Sequence, residues 1–157
     1  MEFISRSAEQ TRRMGMRLGA LLRSSDIICL AGDLGSGKTT FVQGVASGWG
    51  SLDAVTSPSF VLVNIYRAAN EQIFYHLDAY RLENASEAVA LDLDAMIESG
   101  PLVIEWADRI KDALPEECLW VTLRWIDRGQ RDMLISARGE RYQELLAIMR
   151  RQVYGVV

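Results

Sequence analysis

Residues Gly32-Asp33-Leu34-Gly35-Ser36-Gly37-Lys38-Thr39 spell G-x-x-x-x-G-K-T, a complete phosphate-binding loop. The chemistry accounts for the spacing. A polyphosphate needs many donors in a small concave space, and glycines let consecutive backbone N–H groups turn inward without a Cβ in the way. A helix starting near Lys38 adds about half a positive charge from its dipole. The Lys38 ammonium has the reach to meet β- and γ-phosphates, and the Thr39 hydroxyl suits Mg²⁺. The expected nucleotide contacts are Asp33, Leu34, Gly35, Ser36, Gly37, Lys38, Thr39 and Thr40.

A loop of this kind binds nucleotide; hydrolysis also needs an acid that faces the metal and a group that orients water. Leu102-Val103-Ile104-Glu105 is an apolar strand ending in a carboxylate, which makes Glu105 the candidate metal-side acid, acting directly or through water. His76-Leu77-Asp78-Ala79-Tyr80-Arg81-Leu82 is the next constellation. Strand alternation predicts His76, Asp78 and Tyr80 on one face. There Asp78 can orient or deprotonate a water, and Arg81 can stabilise charge or a neighbouring element. Taken alone, the same residues also fit a satisfied core histidine and a structural ion pair. Trp106 is either a core residue or a ring facing nucleotide or partner. Thr56-Ser57-Pro58-Ser59-Phe60 clusters hydroxyls around a rigid proline, which suits a segment ordered by a γ-phosphate. No N-K-x-D motif supports guanine specificity, and the motifs leave the base open.

Around these residues the chain reads as alternating elements. Ile27–Ala31 is a buried strand before the loop, and a helix runs on from it to about Ala46–Gly48. Phe3-Ile4 is a short first strand. Ser7-Ala8-Glu9-Gln10 is a capping box that starts a helix, with Met14, Leu18, Leu21 and Leu22 as its core stripe. Arg12, Arg13 and Arg17 lie off that stripe, on a solvated face or a partner or RNA contact. Phe60–Tyr66 and Ile73–Ala79 form a hairpin around Ala69-Asn70-Glu71. Residues 85–98 are predicted as one helix, stopped by Ser99-Gly100-Pro101. Ala107–Ala113 is a helical turn, Leu119–Ile126 and Met133–Ala137 are a second hairpin, and a helix runs from Glu140 to about Arg151. Strands alternating with helices, then hairpins, predict an α/β fold: a P-loop NTPase-like three-layer arrangement with a mixed β-sheet between helices, in one domain.

Composition narrows the function classes. The 157 residues carry a net charge of −4 and are 49% hydrophobic, which fills a core but argues against a broad nucleic-acid-binding face. Lys38 and Lys111 are the only lysines. Cys29 and Cys118 are far apart in sequence, in apolar strand-like segments, and read as buried reduced thiols. No run has the length of a membrane span, and the first residues lack a signal-peptide core. A soluble cytoplasmic protein is expected, with no membrane partner.

Taken together, Gly32–Thr40, Ser57–Phe60, His76–Leu82 and Ile104–Trp106 resemble the TsaE family of small bacterial P-loop ATPases, over about residues 5–138. Ser59 stands where that family usually has threonine. The resemblance implies ATP as the nucleotide, Mg²⁺ as its metal, and slow hydrolysis by the isolated protein. It implies work with TsaD and TsaB in threonylcarbamoyladenosine modification of tRNA, TsaD being the transferase and any tRNA contact running through those partners. Mapped onto this chain, Lys38 and Thr39 serve phosphate and metal, Glu105 serves metal, and Asp78 is the water-orienting acid. Ser57, Ser59 and Trp106 are then nucleotide-linked or partner-facing. The competing reading is a small-molecule or nucleoside kinase, whose lid arginines would have to come from Arg128, Arg131 and Arg138.

Overall fold

The structure is a computed structural model that describes residues 1–56 and 63–155. Its frame is a seven-stranded mixed sheet. In chain order the elements are β1 (Glu2–Ser5), α1 (Ala8–Gly19), β2 (Ile27–Ala31), α2 (Lys38–Trp49), β3 (Val63–Arg67), β4 (Ile73–Asp78), α3 (Ala85–Val89), α4 (Leu93–Ser99) and β5 (Leu102–Glu105). A 3₁₀ helix (Ala107–Ala113), β6 (Cys118–Asp127), β7 (Gln130–Arg138) and α5 (Glu140–Tyr154) complete them. The spatial order is β1-β7-β6-β2-β5-β4-β3. β6, β2, β5 and β4 run parallel, while β3, β7 and β1 add antiparallel edges.

Register is what assembles the site. Leu30 is opposite Glu105, and Glu105 is opposite Asp78. The carboxyl ends of β2, β5 and β4 therefore form one row, and the glycine loop leaves the sheet at that row. Ligands of open parallel sheets bind at this edge, because the connecting loops diverge there.

Alternation sorts side chains between two cores. Ile28, Leu30, Phe74 and Val103, with Leu119, Val121 and Leu123 of β6, face α1, α2 and α5. Ile27, Cys29, Leu77, Leu102 and Ile104 face α3, α4 and the 3₁₀ helix. The arrangement is the three-layer one expected from the pattern of elements. His76 shares parity with Phe74, and Glu105 with Val103, so both point toward the α2 side.

Local chemistry sets the element ends. Ser7 Oγ accepts the Gln10 N–H at 3.1 Å, as the capping box predicts. Arg141 holds both oxygens of the buried Asp26 carboxylate, at 3.0 and 2.8 Å, and ties α5 to the start of β2. The backbones of α1 and α2 touch: a Cβ on Gly44 would lie 2.0 Å from Arg12 O, and one on Gly15 2.3 Å from Phe41 O.

Two sequence expectations need correction. The helix expected over 85–98 is two helices, α3 and α4. Asp92 breaks it by adopting φ 54° and capping α4 through its side chain, which accepts the Ala95 N–H at 3.4 Å. The strand expected to carry Tyr80 on the face of His76 and Asp78 stops at Asp78, whose Oδ1 accepts the Tyr80 N–H at 2.9 Å. That side-chain turn competes with the ladder and sends Tyr80 out to the surface. Cys29 and Cys118, far apart in sequence, come together from the neighbouring strands β2 and β6 as buried free thiols. Their contact and burial push the Cys29 thiol up. Among the described residues no helix is long and apolar enough to cross a membrane.

Candidate functional site

The glycine loop closes over the start of α2. Gly35 and Gly37 take φ values of 77° and 101°, in the region open to glycine, and let the loop curl over the start of α2. Lys38 begins α2 and is 5% exposed. Its ammonium donates to Gly32 O at 2.5 Å, Asp33 O at 2.8 Å and Ser36 Oγ at 3.3 Å. The same Nζ lies 4.2 Å from the centre of the Trp106 ring. Burial lowers the Lys38 pKa, while Glu105, Asp33, Asp78 and Asp108 act the other way. The cation is therefore held among carbonyls, an aromatic face and carboxylates.

Glu105, 4% exposed, is held from two sides. Oε2 lies 2.6 Å from His76 Nε2, and Oε1 accepts from Thr39 Oγ1 at 3.5 Å. His76 is fully buried, and its Nδ1 is 2.9 Å from the Tyr66 hydroxyl. Tyr66 in turn donates to Thr56 O at 3.3 Å. Thr56, Tyr66, His76, Glu105 and Thr39 thus form one continuous polar chain beneath the loop. Asp78 sits one strand over from Glu105. Burial raises the Asp78 pKa, the Tyr80 N–H lowers it, and the nearby Glu105 raises it further.

Trp106 follows Glu105 in the left-handed region, φ 58°, which turns its ring back over Lys38. Tyr80 packs against it with the rings tilted by 54° and their centres 5.0 Å apart, and the Arg109 guanidinium lies over both rings. A cleft of about 440 Å³ opens among these groups. Leu34, Gly35, Ser36, Gly37, Lys38, Thr39 and Thr40 line it, with Asp78, Glu105 and Trp106. Its volume is within the range of small-molecule sites.

The predicted residues are therefore brought together, with exceptions. Asp33 is exposed and is not among the cleft-lining residues; its carbonyl holds Lys38 instead. Ser57 and Ser59, with Pro58 and Phe60, lie outside the described residues. Three residues given no firm place in the site also line the cleft: Tyr80, Arg81 and Arg131. Tyr80 and Arg81 lie two and three residues after Asp78, so closeness in sequence was the available signal. Arg131 comes from the distant β6–β7 hairpin, and no local pattern ties it to the loop. Of the three arginines that a kinase lid would need, Arg131 alone lines this cleft; Arg138 lines a separate one with Lys111 and Trp120. Among the described residues no group of three or more His, Cys, Asp or Glu side chains is arranged to hold a metal by itself.

Comparison with known proteins identifies the family. The family model described as "Threonylcarbamoyl adenosine biosynthesis protein TsaE" matches residues 5–133. A tRNA threonylcarbamoyladenosine biosynthesis protein TsaE from Treponema pallidum is 35% identical over 137 residues, spanning 87% of this chain and 100% of the relative. The protein of the same name from Bacillus subtilis is 35% identical over 139 residues, spanning 87% of this chain and 85% of its own length. The crystal structure of Bacillus subtilis YdiB superposes with a TM-score of 0.80 at 29% identity, covering 97% of this chain and 95% of that one. These matches over most of the chain show that the chain belongs to the TsaE family.

Proposed function

We propose that this chain is the ATP-hydrolysing subunit of the machinery that places threonylcarbamoyladenosine beside the tRNA anticodon. It works with TsaD and TsaB and is not itself the transferase. The observation that carries this reading is the meeting of Lys38, Thr39, Glu105 and Asp78 at the carboxyl edge of three adjacent parallel strands.

The division of labour follows from the geometry. The glycine-loop amides and Lys38 bind the polyphosphate and orient its terminal group. Thr39 Oγ1 and Glu105 Oε1, 3.5 Å apart, are the protein oxygens that would hold Mg²⁺. That ion typically uses one or two protein oxygens and takes the rest from phosphate and water. When bound, Mg²⁺ supplies charge neutralisation on the phosphates. His76 holds Glu105 by its other oxygen and so aims Oε1 at Thr39. Asp78, facing the cleft one strand away, orients the attacking water and takes its proton. Trp106 packs on Lys38 and shields it from bulk solvent.

The cytoplasm is the compartment in which such a subunit meets tRNA, and the buried free thiols suit it. The whole chain acts as one P-loop domain. The decisive experiment is release of phosphate from ATP in Mg²⁺ by the purified protein, alone and with the TsaD–TsaB pair. Slow turnover alone and clear stimulation by the pair support the reading. Phosphate transfer to a nucleoside panel, in place of free phosphate, would favour a kinase instead.

A further inference from the structure

Arg131 lies at the start of β7, on the same strand face as Met133 and Ile135. Those two residues are in the core shared with α1, α2 and α5, and Arg131 marks the point where that face reaches the glycine loop. Its side chain is in contact range of the loop: a Cβ on Gly37 would lie 3.6 Å from both Arg131 Cγ and Nε, and 3.7 Å from Leu123 Cδ2. One end of the guanidinium is fixed, since Nη1 donates to Gln130 O at 2.8 Å and Asp127 O at 3.1 Å. The Nε–H is buried and has no acceptor among the described residues. A charged donor held in place, desolvated and unpaired, is costly unless something else supplies the acceptor.

We propose that Arg131 is a nucleotide-contacting residue, donating from its guanidinium to the diphosphate portion that ATP and ADP share. The inference rests on the reading of this cleft as an ATP site. The chemistry selects an anionic oxygen, because a fixed guanidinium edge matches phosphate in both charge and geometry. Position selects the diphosphate. The γ-phosphate end of the cleft is marked by Lys38 Nζ, Thr39, Glu105 and Asp78, whereas Arg131 neighbours Gly37, Leu123, Asp127 and Gln130. Arg131 therefore keeps hold of the nucleotide before and after hydrolysis, while Lys38 and Glu105 attend to the phosphate that leaves. It also makes the β6–β7 hairpin part of the nucleotide site.

The test is equilibrium binding of ATP, ADP and inorganic pyrophosphate to the parent protein, Arg131→Met and Arg131→Lys. Circular dichroism and thermal melting check that each variant folds. The expected result is a roughly ten- to hundredfold loss of affinity in Arg131→Met for all three ligands alike. Arg131→Lys keeps the charge without the Nε–H and should recover only part of it. If Arg131→Met does not fold, Arg131→Lys carries the test with a several-fold loss for all three. Unchanged affinities in the folded variants overturn the proposal while the ATP site stands. A loss for ATP alone would make Arg131 a γ-phosphate contact, and a loss for ADP with pyrophosphate unaffected would make it a contact to the nucleoside; either overturns the assignment. Failure of the parent protein to bind ATP or ADP would instead overturn the ATP-site reading itself.

Discussion

His76 Nε2 stands 2.6 Å from Glu105 Oε2, with the histidine fully buried and the glutamate nearly so. The two residues come from adjacent parallel strands, where His76 is opposite Val103 and Asp78 is opposite Glu105. A carboxylate buried this deeply needs a partner for each oxygen. His76 satisfies one, which leaves the other facing Thr39. In this structure the histidine of the H-x-D motif bonds one oxygen of Glu105 and so restricts where the other can point.

Removal of that partner is expected to be felt in both stability and activity. His76→Ala should lower unfolding free energy by about 1–3 kcal/mol, since it leaves a buried carboxylate oxygen without its donor. It should also weaken Mg²⁺-dependent ATP turnover, because Glu105 is freed to rotate. Urea denaturation and the Mg²⁺ concentration dependence of hydrolysis check the two halves. Unchanged values in both would show that Glu105 holds its position without His76.

Lys38→Ala deletes the cation that the loop carbonyls and Trp106 hold in place. Most of the ATP affinity should go with it, by roughly tenfold or more in calorimetric titration, with the fold intact. ATP affinity equal to the parent's would mean that the loop is not the phosphate site.

Asp78→Ala should spare nucleotide binding and slow hydrolysis by roughly 10²- to 10⁴-fold, the range of a lost general base. The pH dependence follows from burial, which raises the Asp78 pKa above the ordinary carboxylate value. The base works ionised, so kcat/KM should fall as pH drops through that raised pKa, and the acid limb should sit above the usual carboxylate range. For stability the sign is opposite. A carboxyl with a raised folded pKa favours folding most when protonated, and that advantage is lost as pH rises. Asp78→Asn keeps an acceptor for the Tyr80 N–H and should melt at or above the parent's temperature at neutral pH. A clearly lower melting temperature would contradict this.

Gly44→Ala tests the α1–α2 contact. A methyl there would meet Arg12 O at 2.0 Å, a backbone atom with no side-chain freedom to yield. A loss of about 1–3 kcal/mol or more is expected, although alanine is the better helix former. A thermal melt at or above the parent's would show that the helices can separate at little cost.

Much of this protein was legible in its sequence, because the relevant signals are local. The glycine loop, the capping box at Ser7 and the apolar strands ending in Glu105 and Asp78 each follow from a few neighbouring residues. Alternation put His76 on the side of Asp78, as the structure shows. Where one local signal competes with another, the pattern alone does not decide: Asp92 interrupts the helix expected over 85–98, and the Asp78 turn ends β4 before Tyr80. Both interruptions have one cause, an Asp side chain that satisfies backbone N–H groups in place of the regular ladder.

The residue pattern by itself determined the loop, the strand-end acids and the three-layer architecture, since periodicity and glycine placement act within a few residues of the chain. Register and packing decided the rest. Only the parallel pairing of β4, β5 and β2 puts Asp78, Glu105 and the loop on one edge. Only the placement of β6 beside β2 brings Cys118 to Cys29, and only the β6–β7 hairpin brings Arg131 to Gly37. Those contacts join residues distant in sequence through backbone hydrogen bonds and close packing, which no short window of sequence encodes.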